Sequence, residues 1–158
     1  MSNSDTKSKN SYECRAPIPI GACPMVSASL VLGDTHILMI LREAFYGVRR
    51  FVDFQRDLGL SRATLTDRLK RLVDAGVLRT STYKQDGRRS RKLYELTERG
   101  RDLLPLIIAL TEWGEGLSGQ APIQFINKKD GSPVRIGLVS KDGNEVETAN
   151  VGFDLRVS

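Results

Sequence analysis

Leu60-Ser61-Arg62-Ala63-Thr64-Leu65-Thr66-Asp67-Arg68-Leu69-Lys70-Arg71-Leu72 is the stretch from which the fold can be read. Leu65, Leu69, Leu72 and Val73 fall at i, i+4, i+7 and i+8, the apolar stripe of an α-helix seated on a core. Ser61 stands at the N-cap, where a side-chain oxygen accepts a free backbone N–H. Gly76 supplies the stop. The opposite side carries Ala63, Thr64, Asp67, Lys70, Arg71 and Asp74, with Arg62, Thr66 and Arg68 near the flanks.

Immediately upstream, Phe51, Phe54 and Leu58 sit at i, i+3 and i+7, so residues 50–58 form a second helix closed by Gly59. Two short helices joined at Gly59-Leu60-Ser61 make a helix-turn-helix. Downstream, residues 77–83 are rich in β-formers, Gln85-Asp86-Gly87 is a turn signal, and Lys92 to Leu96 alternates on the way back. This is a β-hairpin whose tip carries Lys84, Arg88, Arg89 and Arg91. The expected fold is therefore mainly α with a β-wing: a winged helix-turn-helix.

Before this unit, a short helix over 25–32 breaks at Gly33-Asp34, and Asp34 caps a strongly apolar helix over 35–46 that ends at Gly47. After it, Thr97 caps a long helix over 98–117. Its apolar stripe runs through Leu103, Leu106, Ile107, Leu110, Trp113 and Leu117, with a kink expected at Pro105. One small hairpin cannot cover so broad a face, so the helix reads as a homodimer interface. Residues 119–158 change character: short β-like runs and two Asp-Gly turns predict a small β-meander. The chain thus divides into a flexible arm (1–20), a winged-helix DNA-binding and dimerisation domain (21–118) and a β-rich extension (119–158).

The net charge of +5 is unevenly spread. Residues 49–101 hold 15 Lys/Arg against 7 Asp/Glu, a net of +8, whereas residues 120–158 hold 5 of each. The positive segment coincides with the helix-turn-helix and hairpin, the footprint of a phosphate-binding surface. A merely solvated basic face gives the same count, so charge alone does not separate the two. The N-terminus lacks the apolar region of a signal peptide and no run is long enough for a membrane helix, so no membrane partner and a cytoplasmic location are expected. A single histidine, no Gly-rich phosphate loop and no paired acid–base cluster argue against an enzyme, a metal site or a bound cofactor.

These residues together resemble the HxlR family of bacterial winged-helix regulators, relatives of the MarR group. The resemblance covers about residues 23–115. It rests on Cys23-Pro24, Leu38-Met39-Ile40-Leu41-Arg42-Glu43, Arg50-Phe51-Val52-Asp53-Phe54-Gln55, residues 65–72, Tyr94-Glu95-Leu96-Thr97-Glu98-Arg99-Gly100 and Trp113-Gly114. It implies a dimer built from the first and last helices, recognition helices in successive major grooves, and wings over the flanking backbone. It also implies that Cys23 matches a cysteine that several relatives use to sense oxidants. The family's usual Trp is His36 here, and the extension holds no cysteine, which excludes a zinc knuckle.

Double-stranded DNA is the expected partner. Arg50, Lys84, Arg88, Arg89 and Arg91 are expected to grip phosphates. Sequence reading falls to the start of the recognition helix: Ser61, Arg62, Ala63, Thr64, Thr66 and Asp67, with Arg68 and Arg71 as further candidates. Arg68 reads equally well as a structural contact. Cys23, with Cys14, is a candidate redox switch, set against the commoner fate of a buried inert thiol. His36, Phe45, Tyr46 and Trp113 outline a candidate pocket for a hydrophobic small-molecule effector, with His36 itself expected to be buried and satisfied. The function that follows is a homodimeric regulator, expected to repress from a palindromic operator. The alternative is a winged-helix protein-interaction module without sequence-specific DNA binding.

Overall fold

The structure, a computed structural model, describes residues 18–83 and 90–152. Among the described residues, six α-helices and one hairpin follow a short 3-10 turn at Ile20–Ala22, with a second such turn at Thr148–Asn150: α1 (Pro24–Leu32), α2 (Thr35–Phe45), α3 (Phe51–Leu58), α4 (Arg62–Asp74), β1 (Leu78–Tyr83), β2 (Arg91–Leu96), α5 (Glu98–Arg101) and α6 (Leu104–Ser118). The majority is helical, with one two-stranded antiparallel sheet. The winged helix-turn-helix expected from the sequence is what forms.

α2 is the centre of the fold. It packs against α1, α3, α4, α6 and β2, which is why its sequence is apolar on more than one side. Ile37, Ile40 and Leu41 meet Phe54 of α3, Leu65, Leu69 and Leu72 of α4, and Leu78 of β1, all fully buried. Its one buried charge, Glu43, is paired with the neighbouring Arg42 guanidinium. The caps are those the sequence called for. Asp34 accepts the N–H groups of His36 (2.9 Å) and Ile37 (3.2 Å). Ser61 Oγ accepts that of Thr64 (3.1 Å), and Thr97 Oγ1 that of Gly100 (3.0 Å). Gly59 and Gly76 take left-handed φ values of 62° and 69°, ending α3 and α4 where a side chain would be strained.

The wing pairs Leu78 with Leu96 through Tyr83 with Arg91. A third edge joins it: the chain entering α3 bridges Arg50 to Leu93, and the Tyr94 N–H donates to the Arg49 carbonyl at 2.8 Å. The helix-turn-helix and the wing are therefore hydrogen-bonded into one unit. At the wing's base Gly100 is buried, and an added Cβ would lie 2.2 Å from the Val77 carbonyl oxygen, a backbone atom that cannot swing aside. Gly100→Ala is expected to cost about 1–3 kcal/mol of stability. Urea unfolding followed by circular dichroism would read it, and an unchanged midpoint would mean the α5 turn shifts freely.

Three expectations are corrected. The kinked helix over 98–117 is two helices. Pro105, with no N–H to give the Arg101 carbonyl, occupies the first turn of α6, and the chain breaks at Asp102-Leu103. The β-meander is not a meander of strands. Gly131 and Gly143 do turn with φ of 74° and 84°, but each hairpin closes on a single bridge, Ile126 to Pro133 and Val139 to Glu145. Pro133 removes a ladder donor and Gly137 weakens the run after it. His36 is exposed (side chain 47%), because the buried stripe of α2 is Ile37, Ile40 and Leu41 and His36 falls off it.

Candidate nucleic-acid interface

α4 holds its leucines in the core and turns Ser61, Arg62, Ala63, Thr66 and Asp67 to solvent, with Thr64 half-buried. Several of these polar groups are already engaged. Ser61 Oγ lies 2.9 Å from Thr64 Oγ1 as part of the cap, and Thr66 Oγ1 donates to the Arg62 carbonyl at 2.7 Å. Arg62 is held differently. Its guanidinium carbon lies 5.7 Å from the centroid of the Phe51 ring, a cation–π contact between α4 and α3.

Between the start of α4 and the wing lies a concavity of about 430 Å³, lined by Arg50, Phe51, Arg62, Tyr83, Arg91 and Lys92, among others. Among the described residues, four cations and no carboxylate face it. That is an anion-attracting surface at the junction of α4 and the wing. Arg50 is not a free cation here. Its Nε and Nη2 donate to the two oxygens of Asp53 at 2.6 and 3.1 Å, and Arg56 approaches the same carboxylate at 3.2 Å. The hydrogen-bonded Arg50 guanidinium holds Asp53 below its ordinary pKa against the opposing effect of burial. Phe51, Tyr83 and Lys92 were not singled out by sequence reasoning; only the fold brings them beside Arg62.

Arg68 and Arg71 face away from this surface. Arg68 reaches Asp34 Oδ2 (2.9 Å from Nη2) and Asp67 Oδ2 (2.6 Å from Nη1), and Arg71 donates to the Leu30 carbonyl at 2.9 Å. Both tie α4 to the α1–α2 corner, so the structure favours the structural reading of Arg68. Asp34 thus caps α2 and anchors α4 with one carboxylate. Burial would raise its pKa, but the Arg68 guanidinium and the Ile37 and His36 amides outweigh that and hold it below its ordinary value. A depressed carboxylate pKa contributes stability that is full above the unfolded-state value, about 3.9, and is lost as pH falls through the folded value. Arg68→Met is therefore expected to lower the melting temperature at neutral pH, with the gap to the parent closing below about pH 4. A gap independent of pH would remove the Asp34 link.

On the wing, Glu95 braces Arg49 (3.2 Å) and Arg79 (3.5 Å), while Arg91 and Lys92 stay exposed. Lys84, Arg88 and Arg89, and likewise Cys14, lie outside the described residues. Cys23 is a free thiol at the N-cap of α1, half-buried and making no side-chain cap bond. The effector set does not assemble. His36 and Phe45-Tyr46 stand at opposite ends of α2, about 14 Å apart at 1.5 Å per residue. Tyr46, Trp113 and His36 are all exposed in the single chain.

A family model for HxlR-like helix-turn-helix proteins matches residues 31–121, more than half of the sequence. The chain belongs to the HxlR-like helix-turn-helix family. The curated relatives it matches are named HTH-type transcriptional regulators. An uncharacterised HTH-type transcriptional regulator of Mycobacterium bovis, Mb3122, is 39% identical over 106 residues, 67% of this chain and 61% of that protein. The match thus spans less than two thirds of that relative. Among solved structures, PA1607, described as a candidate transcription factor, aligns at 31% identity with a TM-score of 0.74, covering 84% of this chain and 94% of that one. The redox regulator HypR in its reduced form aligns at 28% identity with a TM-score of 0.54, covering 60% of this chain and 92% of that one. No single helix among the described residues of this HxlR-like chain is long and apolar enough to cross a membrane.

Proposed function

We propose that this HxlR-like protein is a cytoplasmic homodimeric repressor that binds a palindromic operator and is released by oxidation at Cys23. The observation that carries the dimer is the apolar surface left open on α1 and α6. Met25 and Leu30 are 76% and 73% exposed, and Trp113 and Leu117 69% and 70%. Four large side chains open to water on two helices mark an association surface. A two-fold pairing there sets two α4 helices on one side of the dimer, suited to half-sites about 34 Å apart. Selection of bound DNA from a random library tests this directly: an inverted repeat with that spacing is expected, and no enriched sequence would overturn it.

Within that reading, Arg62 and Arg91 divide the work. Arg62, preset on Phe51 at the first turn of α4, reads bases, and Arg91 on the wing grips phosphate. Arg62→Ala is expected to cut the ratio of specific to random-DNA affinity by about 1–3 kcal/mol. Arg91→Ala should weaken both alike and reduce the salt slope by about one. Equal losses on both DNAs from both variants would remove this division.

Oxidation is favoured over a small-molecule effector because the effector set does not assemble, whereas Cys23 is a free thiol at the edge of the α1 surface. HypR, similar over 60% of this chain, is named a redox regulator. Mild diamide is expected to produce a crosslink on non-reducing gels and loss of operator binding, both absent in Cys23→Ser. Intact binding after diamide returns Cys23 to an inert thiol.

A further inference from the structure

The segment after α6 is shaped by turns and buries no side chain fully, although Phe125, Ile136 and Val146 are half-buried. Asp130 Oδ1 accepts from the Ser132 N–H and hydroxyl (2.9 and 2.6 Å), and Arg135 pairs with Glu145 at 2.6 Å across the second turn. The Val134 and Val146 N–H groups donate to the carbonyls of Phe125 and Leu138, each at 2.8 Å. Yet none of the described residues from 120 to 152 is buried, and Ile126, Leu138, Val139 and Val151 are exposed. Isolated hairpins of this size are marginal in water, and ordering each residue costs about 1–2 kcal/mol. So defined a path needs cover.

Its own helices give little. One hydrogen bond, from the Ile136 N–H to Glu112 Oε1 (3.4 Å), sets the segment beside α6. Leu110, Trp113 and Leu117 remain exposed with the segment in place. One chain therefore carries two apolar surfaces, joined in sequence through Gly119, that cover each other only in part.

We infer that residues 120–152 form a clasp that closes over the α1–α6 surface of a second copy of this chain. The inference rests on the dimer reading above and adds to it the role of the C-terminal segment. A copy is favoured as occupant because the segment starts at the end of α6, at the margin of the open face. In a two-fold pair each chain gives one clasp and receives one, so both surfaces are met at once. DNA is disfavoured, since residues 120–158 carry 5 Lys/Arg and 5 Asp/Glu. The likeness to PA1607 covers 84% of this chain and so takes in some residues beyond 120.

The test uses the full-length protein with Leu138→Asp and, separately, Val139→Asp. Both side chains are exposed in the single chain, so both variants are expected to melt with the parent. Sedimentation equilibrium gives the dimer constant. Acrylamide quenching of Trp113, the one tryptophan in the sequence, reports cover of α6. The expected result is a dimer weakened about tenfold or more by each change, with Trp113 shielded in the parent and quenched in the variants. A parent dimer that both variants match overturns the clasp and leaves the dimer reading standing. A parent that stays monomeric overturns both. Lost DNA binding with dimerisation intact makes the segment a DNA contact and overturns the clasp.

Discussion

Leu69→Ala is expected to remove about 2–5 kcal/mol of folding stability. Leu69 is fully buried in the cluster that holds Ile37, Ile40 and Leu41 of α2 and Phe54 of α3. The truncation removes transfer energy and leaves a cavity that α2 cannot fill, because α2 is fixed on its other sides by α1, α3, α6 and β2. Domains of this size are stable by about 5–15 kcal/mol, so the loss is a large share of the total. It acts on the seating of the recognition helix, while the exposed face of Arg62, Ala63 and Thr66 is untouched. Thr66→Ala, at an exposed position of the same helix, should stay within about 0.5 kcal/mol of the parent. Urea unfolding of the two variants checks the contrast. A loss below about 1 kcal/mol for Leu69→Ala would mean that the site collapses and that α4 is not gripped as described.

Why so much of the core was legible follows from where its signals lie. The stripe of Leu65, Leu69 and Leu72 is a property of a helix against any core, and the caps at Asp34, Ser61 and Thr97 are decided within three residues. What the sequence concealed is long-range. Arg68 is open in the sequence between a base contact and a structural one, and the fold decides it by setting Asp34, 34 residues away, within 2.9 Å of it. Phe51 read only as core, and its ring is also the platform for Arg62. His36 has apolar neighbours in sequence, but it lies in the first turn of α2, one residue or about 100° around the helix from Ile37, at the edge of the buried stripe. The Asp-Gly turns of the extension were visible for the same local reason as the caps. Whether strands follow a turn depends on donors and partners further off, and Pro133 withholds one. Gly100 was legible as part of a motif, but its reason, the Val77 carbonyl, comes from across the wing's base.

Changing both Trp113 and Leu117 to glutamate is expected to give a folded monomer whose operator affinity is about 10²–10⁴-fold lower. Both side chains are about 70% exposed in the single chain, so their loss removes little packing within it. In a dimer they would be covered, and two carboxylates per copy would then be buried without partners, a large penalty for association. The affinity follows from geometry. A dimer that has engaged one half-site presents its second α4 at high effective concentration to the other, and a monomer forfeits that gain. Ionic contacts are left in place, since Arg62, Arg91 and Lys92 lie on the other elements. The variant should therefore keep the salt slope per half-site and its weak binding to random DNA while losing preference for the inverted repeat. Sedimentation velocity and salt-resolved gel shifts separate the steps. A variant that remains dimeric would move the interface off α6. A monomer that still binds the full operator as tightly as the parent would show that one recognition helix and one wing suffice.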